Sequence, residues 1–163
     1  MTSPQFIIED ALEAILTPIS GLNVYVSNRR GARFFPYATI RASIGSQLIV
    51  PASGVFEVPV ELSYSDSAVR TNQTTFESNY FEVFAALYEE SDTLVNRIED
   101  ETTNFKVYMA RITSQSPTIR TDKRAWVRGL NLSVIASRVP TPSGYIAALQ
   151  FNDHRNSQYL GAI

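Results

Sequence analysis

The sequence predicts an α+β fold: an antiparallel or mixed β-sheet with two α-helices packed on one face and an extended C-terminal tail. Three observations carry this reading. Residues 4–17 and 74–89 place apolar side chains at helical spacing, residues 55–64 alternate apolar and polar with a period of two, and residues 125–137 repeat that alternation over a longer run.

The first helix has Ser3 as its N-cap and Pro4 at the first helical position, where a missing N–H costs nothing. The pairs Ile7/Ile8, Ala11/Leu12 and Ile15/Leu16 recur every four residues, with Glu9, Asp10 and Glu13 between them. Pro18 bars continuation and Gly21 permits a left-handed turn, which ends the helix. Residues 22–26 then alternate as a short strand, and 27–33 form a basic turn. In the extended segment 34–44, Ala38, Ile40, Ala42 and Ile44 share one face while Tyr37, Thr39 and Arg41 share the other.

A Gly/Pro/Ser-rich connection at 45–54 leads to the cleanest strand, in which Val58, Val60, Leu62 and Tyr64 oppose Glu57, Pro59, Glu61 and Ser63. One side is core and the other wet. Pro59 cannot donate to a ladder, so the strand is expected at an edge or after a bulge. The second helix is expected to start near Thr74 or Thr75, with Thr74 and Glu77 spaced as a capping box. Phe76, Tyr80, Val83, Phe84 and Leu87 make an apolar stripe, which Phe81 and Tyr88 widen to roughly 160°, beyond the roughly 100° that packing on one sheet requires. Either the helix is sunk deep in its own domain or another subunit covers its flank.

Residues 92–101 extend this helix or form a short one of their own. Residues 105–113 read as a strand, followed by a polar, basic hairpin arm or loop at 114–124. In the last strand Trp126, Arg128, Leu130, Leu132, Val134 and Ala136 share a face. From Val139 onward Pro140, Pro142 and Gly144 break the pattern, so residues 1–138 form the domain and 139–163 an extension expected to dock on a partner or neighbouring subunit.

A chain of 163 residues suits one domain, able to bury roughly 70% of its unfolded surface. It has no cysteine, so neither a disulfide framework nor a thiolate metal site is possible. The first ten residues carry no basic stretch followed by an apolar run, and nothing approaches the roughly 18 apolar residues of a membrane span. Folding in a reducing cytoplasm is the expectation, and the sequons at Asn72 and Asn131 then carry no meaning.

The formal charge of −2 hides a polarised distribution. Residues 57–101 hold eleven acids against two bases, net −9, whereas residues 102–163 hold eight bases against two acids, net +6. These sets pair within the chain or meet between neighbouring copies.

Chemistry is hard to find. His154 is the only histidine and lies in the tail, so any Ser-His-Asp triad would have to use it. Glu99, Asp100 and Glu101 are adjacent acids without the spacing of a calcium loop. The seven glycines form no dinucleotide fingerprint, P-loop or nucleophile elbow. No cofactor or metal is expected, and no catalysis. Arg120, Lys123, Arg124 and Arg128, around Trp126, suit either nucleic acid or an acidic protein neighbour; a pI near 5.4 argues against a DNA-coating role.

Glu9-Asp10-Ala11-Leu12 in the first helix, Phe35-Pro36-Tyr37-Ala38 entering the second strand, and Val58-Pro59-Val60-Glu61-Leu62 followed by an aromatic-rich helix carry a resemblance. Over about residues 4–138 the chain resembles the tail-terminator (tail-completion) proteins of long-tailed bacteriophages. The resemblance implies a sheet with two helices on it, a homo-oligomeric ring of six copies at the head-proximal end of the tail tube, and a place in the virion tail or neck after synthesis in the host cytoplasm. Its partners would be the tail tube protein and a head-completion or connector protein, with genomic DNA passing through the hole without sequence-specific binding. The acidic connection at 89–104 and the tail from 139 depart from the minimal plan. A head–tail adaptor, head-closure or tube protein is the alternative within the virion, and a small-ligand-binding or enzymatic α+β domain the alternative outside it. On the ring reading, Phe81 and Tyr88 on the helix flank and Arg120, Lys123 and Arg124 on the arm face adjacent subunits or the tube.

Overall fold

The computed structural model describes residues 3–27, 31–43, 54–88, 94–102 and 104–138. The expected connection at 45–53, the centre of the basic turn at 28–30 and the extension 139–163 with His154 lie outside the described residues. Three helices and a six-stranded mixed sheet make up the rest. In chain order they are α1 (Pro4–Leu16), β1 (Asn23–Val26), β2 (Tyr37–Ala42), β3 (Val55–Ser67), α2 (Gln73–Leu87), α3 (Leu94–Asp100), β4 (Phe105–Gln115), β5 (Ile119–Arg120) and β6 (Ala125–Arg138).

The strands lie in the order β1-β2-β3-β6-β4, with β5 beside β6 beyond the end of β4. Only β1 and β2 run parallel; the other neighbours are antiparallel. All three helices cover one face. Alternation dictates which side that is, because Val58, Val60, Leu62 and Tyr64 of β3 and Leu130, Leu132, Val134 and Ala136 of β6 are all buried beneath them. Phe76 of α2 sits between Tyr64 and Trp126 with ring centroids 5.1 and 6.3 Å away. It is fully buried, which is worth about 2–3 kcal/mol for a side chain of that size.

Four expectations change. First, a third helix exists: the segment after α2 forms the separate α3, which packs on β4 and α1 and sends the Arg97 guanidinium to the Ala86 carbonyl in the last turn of α2. A cation suits a helix C-terminus. Second, the cap of α2 is Asn72, two residues before Thr74, and its side-chain oxygen accepts the Thr75 N–H at 2.8 Å. Third, β3 is central, not an edge. Pro59 is tolerated because its carbonyl accepts the Ser43 N–H at 2.9 Å, so its nitrogen also faces β2, where the β2–β3 ladder runs out after Ala42 and Val60. The β6 side of Pro59 needs no donor from it.

Fourth, Glu9 is not a solvated residue between apolar pairs but is buried at 1% exposure. Its carboxylate accepts from the Ser27 N–H (3.1 Å), the Ser27 hydroxyl (2.6 Å) and the Ala42 N–H (2.7 Å). β1 pairs with β2 only as far as Val26 and Ile40, so the Ala42 N–H projects one step past the end of β1. The carboxylate stands where the next residue of β1 would have offered a carbonyl. Burial of an anion is tolerable when donors surround it.

Candidate functional site

The arm expected at 114–124 does not stand off the body. β4 runs along β6 to the pair Gln115–Leu130, breaks for three residues, and resumes as β5 at the pair Ile119–Val127. Ser116 fills the break, bonding both ways across Gly129: its N–H donates to the Gly129 carbonyl at 2.9 Å and its hydroxyl accepts the Gly129 N–H at 2.8 Å. A Cβ on Gly129 would sit 3.4 Å from that hydroxyl and 3.3 Å from the Leu62 carbonyl, which is why glycine stands there. The hairpin then turns through 122–124. The Arg124 N–H donates to the Thr121 carbonyl (3.0 Å) and the Thr121 N–H to the Ala125 carbonyl (2.8 Å), with Arg124 at φ +56°. This is the three-residue hairpin turn whose last position is left-handed.

The structure divides the four bases of this region. Arg128 is engaged inside the molecule: its guanidinium bonds the Glu77 carboxylate at 2.6 Å and the Ser116 carbonyl at 3.1 Å, and lies 4.4 Å from the Tyr80 ring centroid. Glu77 also accepts the Thr118 hydroxyl, and Tyr80 donates to Gln115 at 2.9 Å. Burial pushes the Tyr80 hydroxyl pKa up, and the nearby Arg128 charge opposes that shift. This network fastens α2 to the hairpin. Arg120, Lys123 and Arg124 are exposed at the tip. Arg120 stacks over Trp126 at 5.9 Å, and none of the three has an acidic partner among the described residues.

Phe81 and Tyr88 are 63% and 67% exposed, so α2 is not sunk in its own domain. Phe81, half-buried Phe84 and Tyr88 form a ladder of stacked rings at 5.9 and 5.6 Å. α2 contains no base, and Glu89 and Glu90 follow in sequence. The two expected surfaces are not brought together within one copy. The tip packs at the start of α2, through Trp126 Nε1 donating to the Thr71 carbonyl at 2.8 Å and Ala68 N–H donating to the Arg124 carbonyl at 2.8 Å. Tyr88 lies twelve residues beyond Phe76, about 18 Å along the helix axis.

Sequence reasoning missed one part of the tip end. Residues 33–36 and 66–71 line a common groove there, with Phe34 67%, Phe35 45% and Val69 70% exposed. Phe35 stacks on Tyr37 at 5.4 Å, Tyr37 meets Tyr25 edge-on at 5.9 Å, and the Arg33 guanidinium lies over Tyr37 at 5.9 Å. The signal was present: adjacent Phe34 and Phe35 cannot both face a core from an extended chain.

Among the described residues, no element packs on the face of the sheet opposite the helices. A groove of about 490 Å³ crosses it, lined among others by Tyr25, Arg33, Arg41, Glu61, Ser116 and Asn131. Glu61, the one acid among the described residues that line it, pairs in register with Arg41 across β2 and β3. Among the described residues no group of three or more His, Cys, Asp or Glu is placed to hold a metal ion, and no helix is long and apolar enough to cross a membrane. Neither a scan against protein-family models nor a search of curated proteins returned a match to this chain. The functional reading therefore rests on the residues themselves.

Proposed function

We propose that the chain is a structural virion protein of the tail-terminator type, a non-catalytic subunit that assembles into a ring on the head-proximal end of a phage tail tube. One observation supports this above the others. Two exposed surfaces of different character, the basic hairpin tip with Arg120, Lys123 and Arg124 and the aromatic flank of α2 with Phe81 and Tyr88, stand at different places on one copy, the tip packing at the start of α2 and Tyr88 lying about 18 Å along the helix from Phe76. Surfaces that cannot meet within a copy are suited to contacts between copies, and a closed ring satisfies the same pair in every subunit.

The segments that carry the resemblance occupy structural positions in the fold. Glu9 of the first segment ties α1 to β1 and β2, the Phe35–Pro36 segment leads into β2, and the Val58–Leu62 segment forms the middle of the central strand. In the proposed role the tube protein meets one side of the ring and a head-completion or connector protein the other, and DNA passes through without being read.

The test is electron microscopy of the purified protein mixed with tail tubes. Caps with rotational symmetry at one tube end are the expected result. Labelling at the head vertex with bare tubes would move the protein to the adaptor or head-closure class, and incorporation along the tube would make it a tube protein.

A further inference from the structure

The register of the sheet gathers more than the hairpin at one end of the molecule. Tyr37 pairs with Ser65, Asp66 with Trp126, and Arg120 with Trp126, so the starts of β2 and β6 and the ends of β3 and β5 coincide. The loop 33–36, the turn 68–71 and the hairpin turn therefore share this end. Among the described residues, its exposed charged side chains are Arg33, Arg70, Arg120, Lys123 and Arg124 against Asp122. Asp66, the other acid there, is buried and accepts from the Ser67 N–H (2.7 Å) and the Thr71 hydroxyl (3.1 Å). Phe34, Phe35, Val69 and Ile119 stand exposed among the cations. The surface is therefore both strongly basic and apolar.

A partner for it must supply apolar or aromatic area free of cations, and this chain carries such a surface. The last turns of α2 present the Phe81, Phe84, Tyr88 ring ladder, without a cation on the helix. Aromatic faces attract guanidinium and ammonium groups, and the Arg120–Trp126 and Arg128–Tyr80 stacks show this chain using the same contact internally. We propose that the tip end of one copy, through Phe34, Phe35, Ile119, Arg120, Lys123 and Arg124, seats on the Phe81–Phe84–Tyr88 flank of α2 in a second copy. The inference rests on the self-assembly reading above and deepens it by naming both halves of the contact. The contact is head-to-tail: every copy offers one tip and one flank, which closes into a ring or extends as a filament according to the rotation between copies.

Two variants separate the halves. Arg120→Glu/Lys123→Glu removes the tip and leaves the flank; Phe81→Ser/Tyr88→Ser removes the flank and leaves the tip. All four side chains are exposed, so both variants are expected to keep the wild-type circular dichroism and melting temperature, and Tyr88→Arg alone serves as a second flank variant should the double serine change unfold. By sedimentation velocity, the wild type is expected to form oligomers that grow with concentration and weaken at least tenfold as salt rises. Each variant alone stays monomeric, and an equimolar mixture yields a 1:1 heterodimer that grows no further. A mixture that stays monomeric while the wild type assembles overturns the proposal, as does a wild type that is monomeric at every concentration. A monomeric wild type that nevertheless caps tail tubes would sink this contact and leave the terminator reading standing. Heterodimers from a protein that ignores tubes would do the reverse.

Discussion

α1 and α2 lie side by side on the same face of the sheet, yet each breaks the rule of apolar in and polar out in the opposite direction. α1 buries an acid, Glu9, along with Ile8, Ala11, Leu12, Ile15 and Leu16. α2 exposes aromatic rings, Phe81 and Tyr88, while burying Phe76, Tyr80, Val83 and Leu87. The cause is what each helix finds beneath it. Under α1 the sheet offers unpaired N–H groups at Ser27 and Ala42, so a carboxylate is worth more there than a methyl group. Under the last turns of α2, α3 and the strands cover only one stripe, and the remaining rings stack on one another instead of on the domain. The exception in α1 serves the fold of one copy, and the exception in α2 does not, which is what the proposed contact between copies requires.

Substitution of Glu9 by Ala should strain this comparison most. It would leave three donors without their acceptor, and a loss of about 3 kcal/mol is expected in urea unfolding. A loss below about 1 kcal/mol would mean that water replaces the carboxylate and that α1 holds no special anchor.

The buried side of α2 makes a second prediction through Tyr64, which packs on Phe76 and whose hydroxyl pKa is pushed up to about 12, first by burial and then by the Asp66 charge. The folded state then keeps this proton more tightly than the unfolded chain, whose tyrosine titrates near its ordinary value of 10.0. The associated stability is present below pH 10 and disappears as pH climbs toward 12, by about 2–3 kcal/mol at about 1.4 kcal/mol per pKa unit. Tyr64→Phe should flatten that part of the pH–stability curve; an unchanged slope would show that other groups produce it.

A smaller effect is expected at the tip. Arg124 holds φ +56°, a conformation that costs a non-glycine residue about 1 kcal/mol, so Arg124→Gly should raise the melting temperature slightly while weakening self-association. If stability and association rose together, the side chain would have no role at an interface. Smallest of all, Phe81→Ser or Tyr88→Ser should change monomer stability by no more than about 0.5 kcal/mol, as for surface substitutions generally. A much larger loss would place the α2 flank with α1, as part of the fold of one copy.

Much of the architecture was legible in the sequence because alternation and helical spacing report directly on which face of an element meets the core. The faces of β2, β3 and β6, the stripe of α2 and the limits of β6 all follow from that periodicity. The excess of apolar positions at 76–88 was legible too, but not whether they lie sunk in the domain or exposed on a flank. The rest depended on neighbours. Pro59 reads as an edge residue until the end of the β2 ladder is known, and Glu9 reads as solvated until Ser27 and Ala42 arrive beside it from 18 and 33 residues away.

The sequence by itself determined the α+β class, the core faces and the separation of acids from bases, because each is a property of consecutive residues. Tertiary structure alone decided that Arg128 is locked to Glu77 while Arg120, Lys123 and Arg124 remain exposed, and that Phe34, Phe35 and Val69 join them at one end of the sheet. Those outcomes depend on register, and register is set by which strands pair and where each ladder stops, which no local pattern encodes.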